Sequence, residues 1–176
     1  FVYDAGPVGK RDIFVRRVGG ENPTNLTGGF AGDDTQPAFS PDGTSIAFRS
    51  DRDGGGIFVM GATGESPRRL TDFGHDPAWS PDGKEIAFDK LHQGTQGQGR
   101  NELWIVDVAS GARRNLYDGD GSNPTWSPSG SRIAFDQERT GSLLAGKRSV
   151  STIAALGGAP TVLVKYRGSI FSNPAW

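Results

Sequence analysis

Four pairs of polar residues, each set immediately before a proline, are the side chains best placed to do chemistry together: Thr35-Gln36, His75-Asp76, Ser122-Asn123 and Ser172-Asn173. The prolines that follow them, Pro37, Pro77, Pro124 and Pro174, are 40, 47 and 50 residues apart. Amide and carboxylate groups offer oxygen ligands to a cation, and together with the hydroxyl and imidazole groups they offer hydrogen-bonding partners to a water cluster or polar ligand. The same groups can equally cap strand ends and order water, so both readings stand for these eight residues. Other candidates carry less. Asp51-Arg52-Asp53-Gly54 and Asp118-Gly119-Asp120-Gly121 look like calcium loops, but neither has the acidic spacing closed by a distal glutamate, and turn chemistry accounts for them. Gly94, Gly97 and Gly99 lie in a Gln/Gly-rich stretch rather than between a strand and a helix, so they form no nucleotide fingerprint. The only histidines are His75 and His92, and there is no Gly-x-Ser-x-Gly elbow, phosphate loop or His-Glu-x-x-His pair. The sequence therefore predicts no catalytic residues, no metal site and no cofactor.

The elements that must position the four pairs come from an internal repeat. Pro37-Ala38-Phe39-Ser40-Pro41-Asp42-Gly43 followed by Ile46-Ala47-Phe48 recurs as Pro77-Ala78-Trp79-Ser80-Pro81-Asp82-Gly83 with Ile86-Ala87-Phe88. A third copy, Pro124-Thr125-Trp126-Ser127-Pro128-Ser129-Gly130 with Ile133-Ala134-Phe135, has Ser in place of Asp, and a fourth opens at Pro174-Ala175-Trp176. In each copy Pro fixes φ and Gly supplies a positive φ, which predicts a tight hairpin between the first two strands. A third strand is signalled by apolar runs such as Ile57-Phe58-Val59-Met60 and Leu103-Trp104-Ile105-Val106, and a fourth by Arg68-Arg69-Leu70-Thr71 and Arg113-Arg114-Asn115-Leu116. No stretch shows a helical apolar period. Four antiparallel strands recurring every 40 to 50 residues are the cue for an all-β β-propeller with four blades' worth of sequence.

The ends complete one another. Phe1-Val2-Tyr3-Asp4 aligns with Ile86-Ala87-Phe88-Asp89 as a second strand lacking its first, and Asn173-Pro174-Ala175-Trp176 is a first strand lacking the rest. An unpaired apolar edge is unfavourable, so N- and C-terminal strands are expected to share one blade, within one chain or between copies, which also allows self-association through the terminal strands. One propeller domain over 1–176 then comprises blade 1 (1–33 plus 173–176), blade 2 (34–73), blade 3 (74–119) and blade 4 (120–172). Because the first strand of a blade is innermost, the four polar pairs should ring one mouth of a central channel. Asp4, Arg49, Asp89 and Asp136 end the second strands on the same face, where acceptor or ion-pair roles toward neighbouring loops are expected. Loop-length variation is concentrated there too, at Asp89 to Asn101 and Asp136 to Val150, so this face is the one expected to bind. The aromatic series Phe39, Trp79, Trp126, Trp176 and Tyr3, Phe48, Phe88, Phe135 read as packing between sheets rather than a stacking platform.

Composition narrows the partners. The 176 residues carry 19 basic and 20 acidic side chains for a net charge of −1, too balanced to favour DNA or anionic lipid. No cysteine is present, so disulfides and thiol chemistry are excluded. No apolar run reaches the ~20 residues of a membrane-spanning helix, and no membrane insertion is expected. Phe1, in place of an initiator methionine, suggests a processed or excised piece.

The Pro-Ala-Trp-Ser-Pro-Asp-Gly-x-x-Ile-Ala-Phe signature resembles the WD-like repeat of the TolB family of bacterial β-propellers. The second blade, from Asp34 through Arg49-Ser50-Asp51-Arg52-Asp53-Gly54-Gly55 to Arg69-Leu70-Thr71, is similar to propeller regions attached to bacterial serine/threonine kinases and sensor proteins. That resemblance implies a propeller that binds proteins or small polar ligands, in an extracytoplasmic or periplasmic compartment. The expected function is thus a non-catalytic binding or assembly scaffold acting through the loop face and channel mouth. The alternative is an accessory or gating propeller of a larger enzyme such as a serine peptidase.

Overall fold

Every Ser-Pro-x-Gly turn is closed by one set of hydrogen bonds. In the computed structural model, which describes residues 1–92, 100–138 and 147–167, the Ser40 carbonyl accepts the Gly43 N–H at 2.9 Å. The Asp42 carboxylate accepts the Ser40 hydroxyl at 2.6 Å and the Thr44 N–H at 3.0 Å. Ser80, Asp82, Gly83 and Lys84 repeat the arrangement at 2.9, 2.7 and 3.1 Å. These bonds stabilise the ionised carboxylates and hold Asp42 and Asp82 below the usual range. In the third copy Ser129 stands in for Asp, 3.2 Å from the Ser127 hydroxyl. Gly43, Gly83 and Gly130 have φ of 70°, 71° and 70°, the left-handed conformation that the sequence requires of them.

These turns join strands into sheets whose neighbours follow chain order and are antiparallel. The first sheet has three strands, β1 (Val2–Ala5), β2 (Asp12–Val15) and β3 (Thr24–Asn25). The second has β4 (Asp34–Phe39), β5 (Ser45–Ser50), β6 (Gly56–Gly61) and β7 (Arg68–Arg69). The third has β8 (His75–Trp79), β9 (Glu85–His92), β10 (Arg100–Asp107) and β11 (Arg113–Tyr117). The fourth has β12 (Ser122–Trp126), β13 (Arg132–Glu138), β14 (Lys147–Ala154) and β15 (Thr161–Arg167). The chain is all-β, and the one helical element among the described residues is a single 3₁₀ turn at Arg52–Gly54. The strand expected to complete the first sheet, Asn173 to Trp176, lies outside the described residues.

Two compact units result, Phe1–Pro77 and Ala78–Trp176. The first packs around Ile13, Ile46, Phe48, Phe58 and Met60, with Val2, Val15, Leu26 and Phe39 against them. The second packs around Leu103, Ile105, Trp126, Ile133, Phe135 and Ile153. Ile46, Ala47 and Phe48 are consecutive and all fully buried, as are Ile86, Ala87 and Phe88 within 1%. Consecutive burial means that second strands are covered on both faces, so they show no polar alternation. Trp126 buries its indole and donates Nε1–H to the Ala78 carbonyl at 3.1 Å, so its polar atom is satisfied. Of the aromatic series, Phe48, Phe88 and Phe135 are core at 0% exposure and Trp126 is buried, whereas Tyr3, Phe39 and Trp79 are half-buried; Trp176 lies outside the described residues.

The fourth strand is anchored by a threonine. Thr27 and Thr71 each accept a buried backbone N–H, from Ile13 and Ile57, at 2.9 Å. Gly56 has to pass so close to this anchor that a Cβ there would lie 2.0 Å from the Thr71 carbonyl oxygen.

Two expectations about strand ends are corrected. The stretches beginning at Asp89 and Asp136 are not loop from their first residue, because β9 pairs with β10 as far as His92 opposite Arg100, and β13 pairs with β14 as far as Glu138 opposite Arg148. Polar residues extend these ladders beyond the apolar core, where no hydrophobic signal marks them. The remaining parts, 93–99 and 139–146, lie outside the described residues. The pairs Thr35-Gln36, His75-Asp76 and Ser122-Asn123 fall inside the first strands β4, β8 and β12 rather than ahead of them.

Candidate functional site

A positive φ on a non-glycine residue is uncommon, and it recurs here at one repeat position: Gln36 at 55°, Asp76 at 49° and Asn123 at 51°. Each is the residue before the leading proline. In β4 and β12 the register slips at this point, between Thr35 and Ala38 and between Ser122 and Thr125, so the strand bulges and re-aims its side chains. The bulge is what turns a strand-end residue into a site residue.

In the first unit the bulge is locked by its neighbours. The Gln36 backbone N–H donates to Asp4 Oδ1 at 3.1 Å. Its side chain makes a reciprocal pair with Asp76, Nε2 donating to Oδ1 at 2.6 Å and Oε1 accepting the Asp76 N–H at 3.1 Å. Around it opens a recess of about 320 Å³ lined by Asp4, Arg11, Asp33, Thr35, Gln36, Arg49, Asp51 and His75. Thr35, Gln36 and His75 come from first strands, Asp4 and Arg49 from second strands, and Arg11, Asp33 and Asp51 from the connections beside them. All stand at strand ends on the side where second strands finish.

The recess carries both signs of charge. The Arg11 backbone N–H donates to Asp33 Oδ1 at 2.8 Å, and its guanidinium lies 3.5 Å from Asp33 and 3.9 Å from Asp4. Arg49 pairs with Asp51 at 2.5 Å. The backbone N–H from Arg11, helped by the guanidinium charges of Arg11 and Arg49, holds the Asp33 carboxyl below the usual range. Half-buried His75 is shifted the other way in charge preference. Burial, reinforced by the Arg49 guanidinium, lowers its pKa against the pull of Asp76 and Asp51, so the imidazole is neutral near pH 7. Among the described residues, no group of three His, Asp or Glu side chains is placed to hold a metal ion. The geometry suits recognition by charge and hydrogen bonding.

The sequence-predicted residues thus separate into groups. Thr35, Gln36 and His75 line the recess, and Asp76 joins them through Gln36. Ser122 and Asn123 belong to the second unit, where Asn123 Nδ2 donates to buried Asp136 at 3.2 Å. Ser172 and Asn173 lie outside the described residues. Sequence reasoning did not anticipate Arg11 and Asp33 as lining residues, and it gave Asp4, Arg49 and Asp51 structural roles. The available signal was Arg49 itself, which stands where the other three copies have Asp4, Asp89 and Asp136.

Comparison with known proteins gives the same architecture. Residues 5–176 match the family described as TolB beta propeller domain. The chain belongs to that family. Among solved structures, this TolB-type propeller is similar to a putative TolB from Agrobacterium tumefaciens, with a TM-score of 0.72 and 23% identity over 93% of this chain and 57% of that one. It is similar to an oligogalacturonate lyase from Vibrio parahaemolyticus, with a TM-score of 0.67 and 12% identity over 90% of this chain and 44% of that one. It is also similar to a puromycin-hydrolyzing peptidase from Mycobacterium tuberculosis, with a TM-score of 0.65 and 18% identity over 90% of this chain and 29% of that one. The chain therefore spans little more than half, or less, of each of these proteins, and at these identities the likeness is one of fold.

Proposed function

We propose that this TolB-type propeller is a non-catalytic binding module whose ligand site is the recess beside Thr35, Gln36 and His75. One observation carries the reading: eight polar side chains, including both guanidinium and carboxylate groups, gather around one open recess in the first unit. Loops and strand ends on a rigid sheet scaffold are where binding groups are normally placed. The neighbouring loops on the same side would add contacts for a protein partner.

Chemical shifts test it. The ¹⁵N-labelled chain would be titrated with a library of small polar compounds at millimolar concentration. Binders should move the amides of Thr35, Gln36 and His75 as a group, and Thr35→Ala with His75→Ala should abolish the response. Uniformly unmoved recess amides, with responses confined to other surfaces, would reject the site.

A second reading has support from the size relation to the peptidase, of which this propeller corresponds to 29%. In that reading the propeller gates or presents substrate to an enzyme domain. A hydrolase domain in the same reading frame would favour it, and the recess would then meet substrate rather than an independent ligand.

A further inference from the structure

We infer that the recess is selective for a small zwitterion of the α-amino-acid class, its ammonium group received by Asp4 and its carboxylate by Arg49. The inference rests on the reading of the recess as a binding site and adds the chemistry of its ligand. Size comes first. About 320 Å³ is at the small end of ligand pockets and, at about 30 Å³ per water-sized group, accommodates roughly ten non-hydrogen atoms.

Charge then selects among small ligands. Two guanidinium groups and three carboxylates line the recess, and His75 adds no charge near pH 7. A simple anion would face Asp4, Asp33 and Asp51, and a simple cation would face Arg11 and Arg49. A ligand with an opposite charge at each end can satisfy both sets. A bare metal ion lacks a suitable cluster of donors among the described residues.

The two ends of the site also differ in how firmly they are held. Asp4 is fixed through Oδ1 by the N–H of bulged Gln36. Its Oδ2 approaches Arg11 only to 3.9 Å, beyond hydrogen-bonding distance, and so keeps acceptor capacity for an ammonium group. Arg49 is paired with Asp51, a residue 45% exposed, and exposed pairs contribute little. A ligand carboxylate can therefore take over part of the Arg49 fork at small cost, in the bidentate geometry guanidinium favours. Arg49 is also the departure from the acidic residue of the other copies, so the cationic end is particular to this recess.

The test uses L-glutamine, which has ten non-hydrogen atoms, with N-acetyl-L-glutamine and L-glutaminamide as forms lacking one charge each. Calorimetry and ¹⁵N shifts on the whole chain should show L-glutamine or another free amino acid binding at the recess, and each blocked derivative of the binder should be about tenfold weaker. Arg49→Gln should erase the preference for the acid over the amide. Asp4→Asn should erase the preference for the free over the acetylated amine. Retained ¹⁵N spectra would show both variants folded. Blocked derivatives that bind as well as the parent, or variants that keep both preferences, would overturn the zwitterion assignment. So would the absence of any shift with all twenty amino acids at about 50 mM. Recess amides that respond to other polar compounds in that case would leave the binding site standing and remove only the ligand class.

Discussion

Removing Arg52 should be among the costliest single changes to the first unit. Its guanidinium donates to Asp34 Oδ2 at 2.7 Å, and Asp34 is completely buried. The cation also lies 4.7 Å from the Phe30 ring centroid and 5.6 Å from that of Phe48. In Arg52→Met the apolar stem still covers these rings while the charge is lost, leaving a buried carboxylate with no cation. The expected loss is about 3–5 kcal/mol near pH 7. Adding Asp34→Asn removes the stranded charge and should recover at least half of it. The sign of the pH dependence follows from Asp34. Burial pushes its carboxyl above the ordinary 3.8 against the opposing effects of Ser50 and Arg52, and without Arg52 it rises further. The native state then binds the proton more tightly than the unfolded chain, so stability increases as pH falls from the raised native value toward 3.8. The deficit of Arg52→Met relative to wild type should narrow as pH falls from neutral toward the ordinary 3.8. Urea unfolding should be followed by far-UV circular dichroism, because all four tryptophans lie after Pro77 and their fluorescence would miss the first unit. A loss below about 1 kcal/mol, or one unchanged over that pH range, would refute the reasoning.

Other consequences are simpler to measure. Thr71→Val keeps the shape but strands the buried Ile57 N–H, at a cost of about 1–3 kcal/mol in chemical denaturation, and Thr71→Ser should restore most of it. Gly83→Val forces a β-branched residue into a φ of 71° and should cost about 1–2 kcal/mol, whereas an unchanged melting temperature would mean that the turn refolds around it. His75 has its pKa lowered in the native state, chiefly by burial, so the unfolded chain takes up the proton first and stability is lost as pH falls below the ordinary 6.5. His75→Gln should remove that part of the acid sensitivity, as read from melting curves between about pH 7 and pH 5.

Much of the fold was legible because the repeat writes the same physics several times. Gly43, Gly83 and Gly130 sit where Pro and Asp or Ser have already begun a turn, and only a glycine accepts the resulting φ without strain. Ile-Ala-Phe marks a strand buried on both faces in each copy. The ladder extensions at His92 and Glu138 were not legible, because strands that run beyond their core carry no apolar period. The bulges at Gln36 and Asn123 were hidden for a related reason. A residue before proline reads as extended, and nothing local announces a left-handed φ that neighbouring strands impose.

The recess was half legible for the same reason that repeats are recognisable at all. Equivalence between copies pointed to Thr35, Gln36 and His75, since a position that is polar in every copy stands out. What makes the first-unit site distinct is the opposite, namely positions where equivalence fails. Arg49 replaces the acidic residue of the other copies, and Asp34 stands where Gly74 and Gly121 stand. The two departures have different effects. Asp34 is fully buried and tied to Arg52, so it fixes the 3₁₀ turn that follows β5. That turn begins one residue after Asp51, whose backbone N–H bonds the Asp33 carbonyl at 3.0 Å and whose carboxylate pairs with Arg49. A buried ion pair thereby holds in place the chain that carries the exposed one, and the charge reversal at Arg49 is presented on a rigid base. In a repeat protein, binding chemistry is therefore best sought at residues that break the repeat close to residues that obey it, with a structural substitution nearby to support the exception.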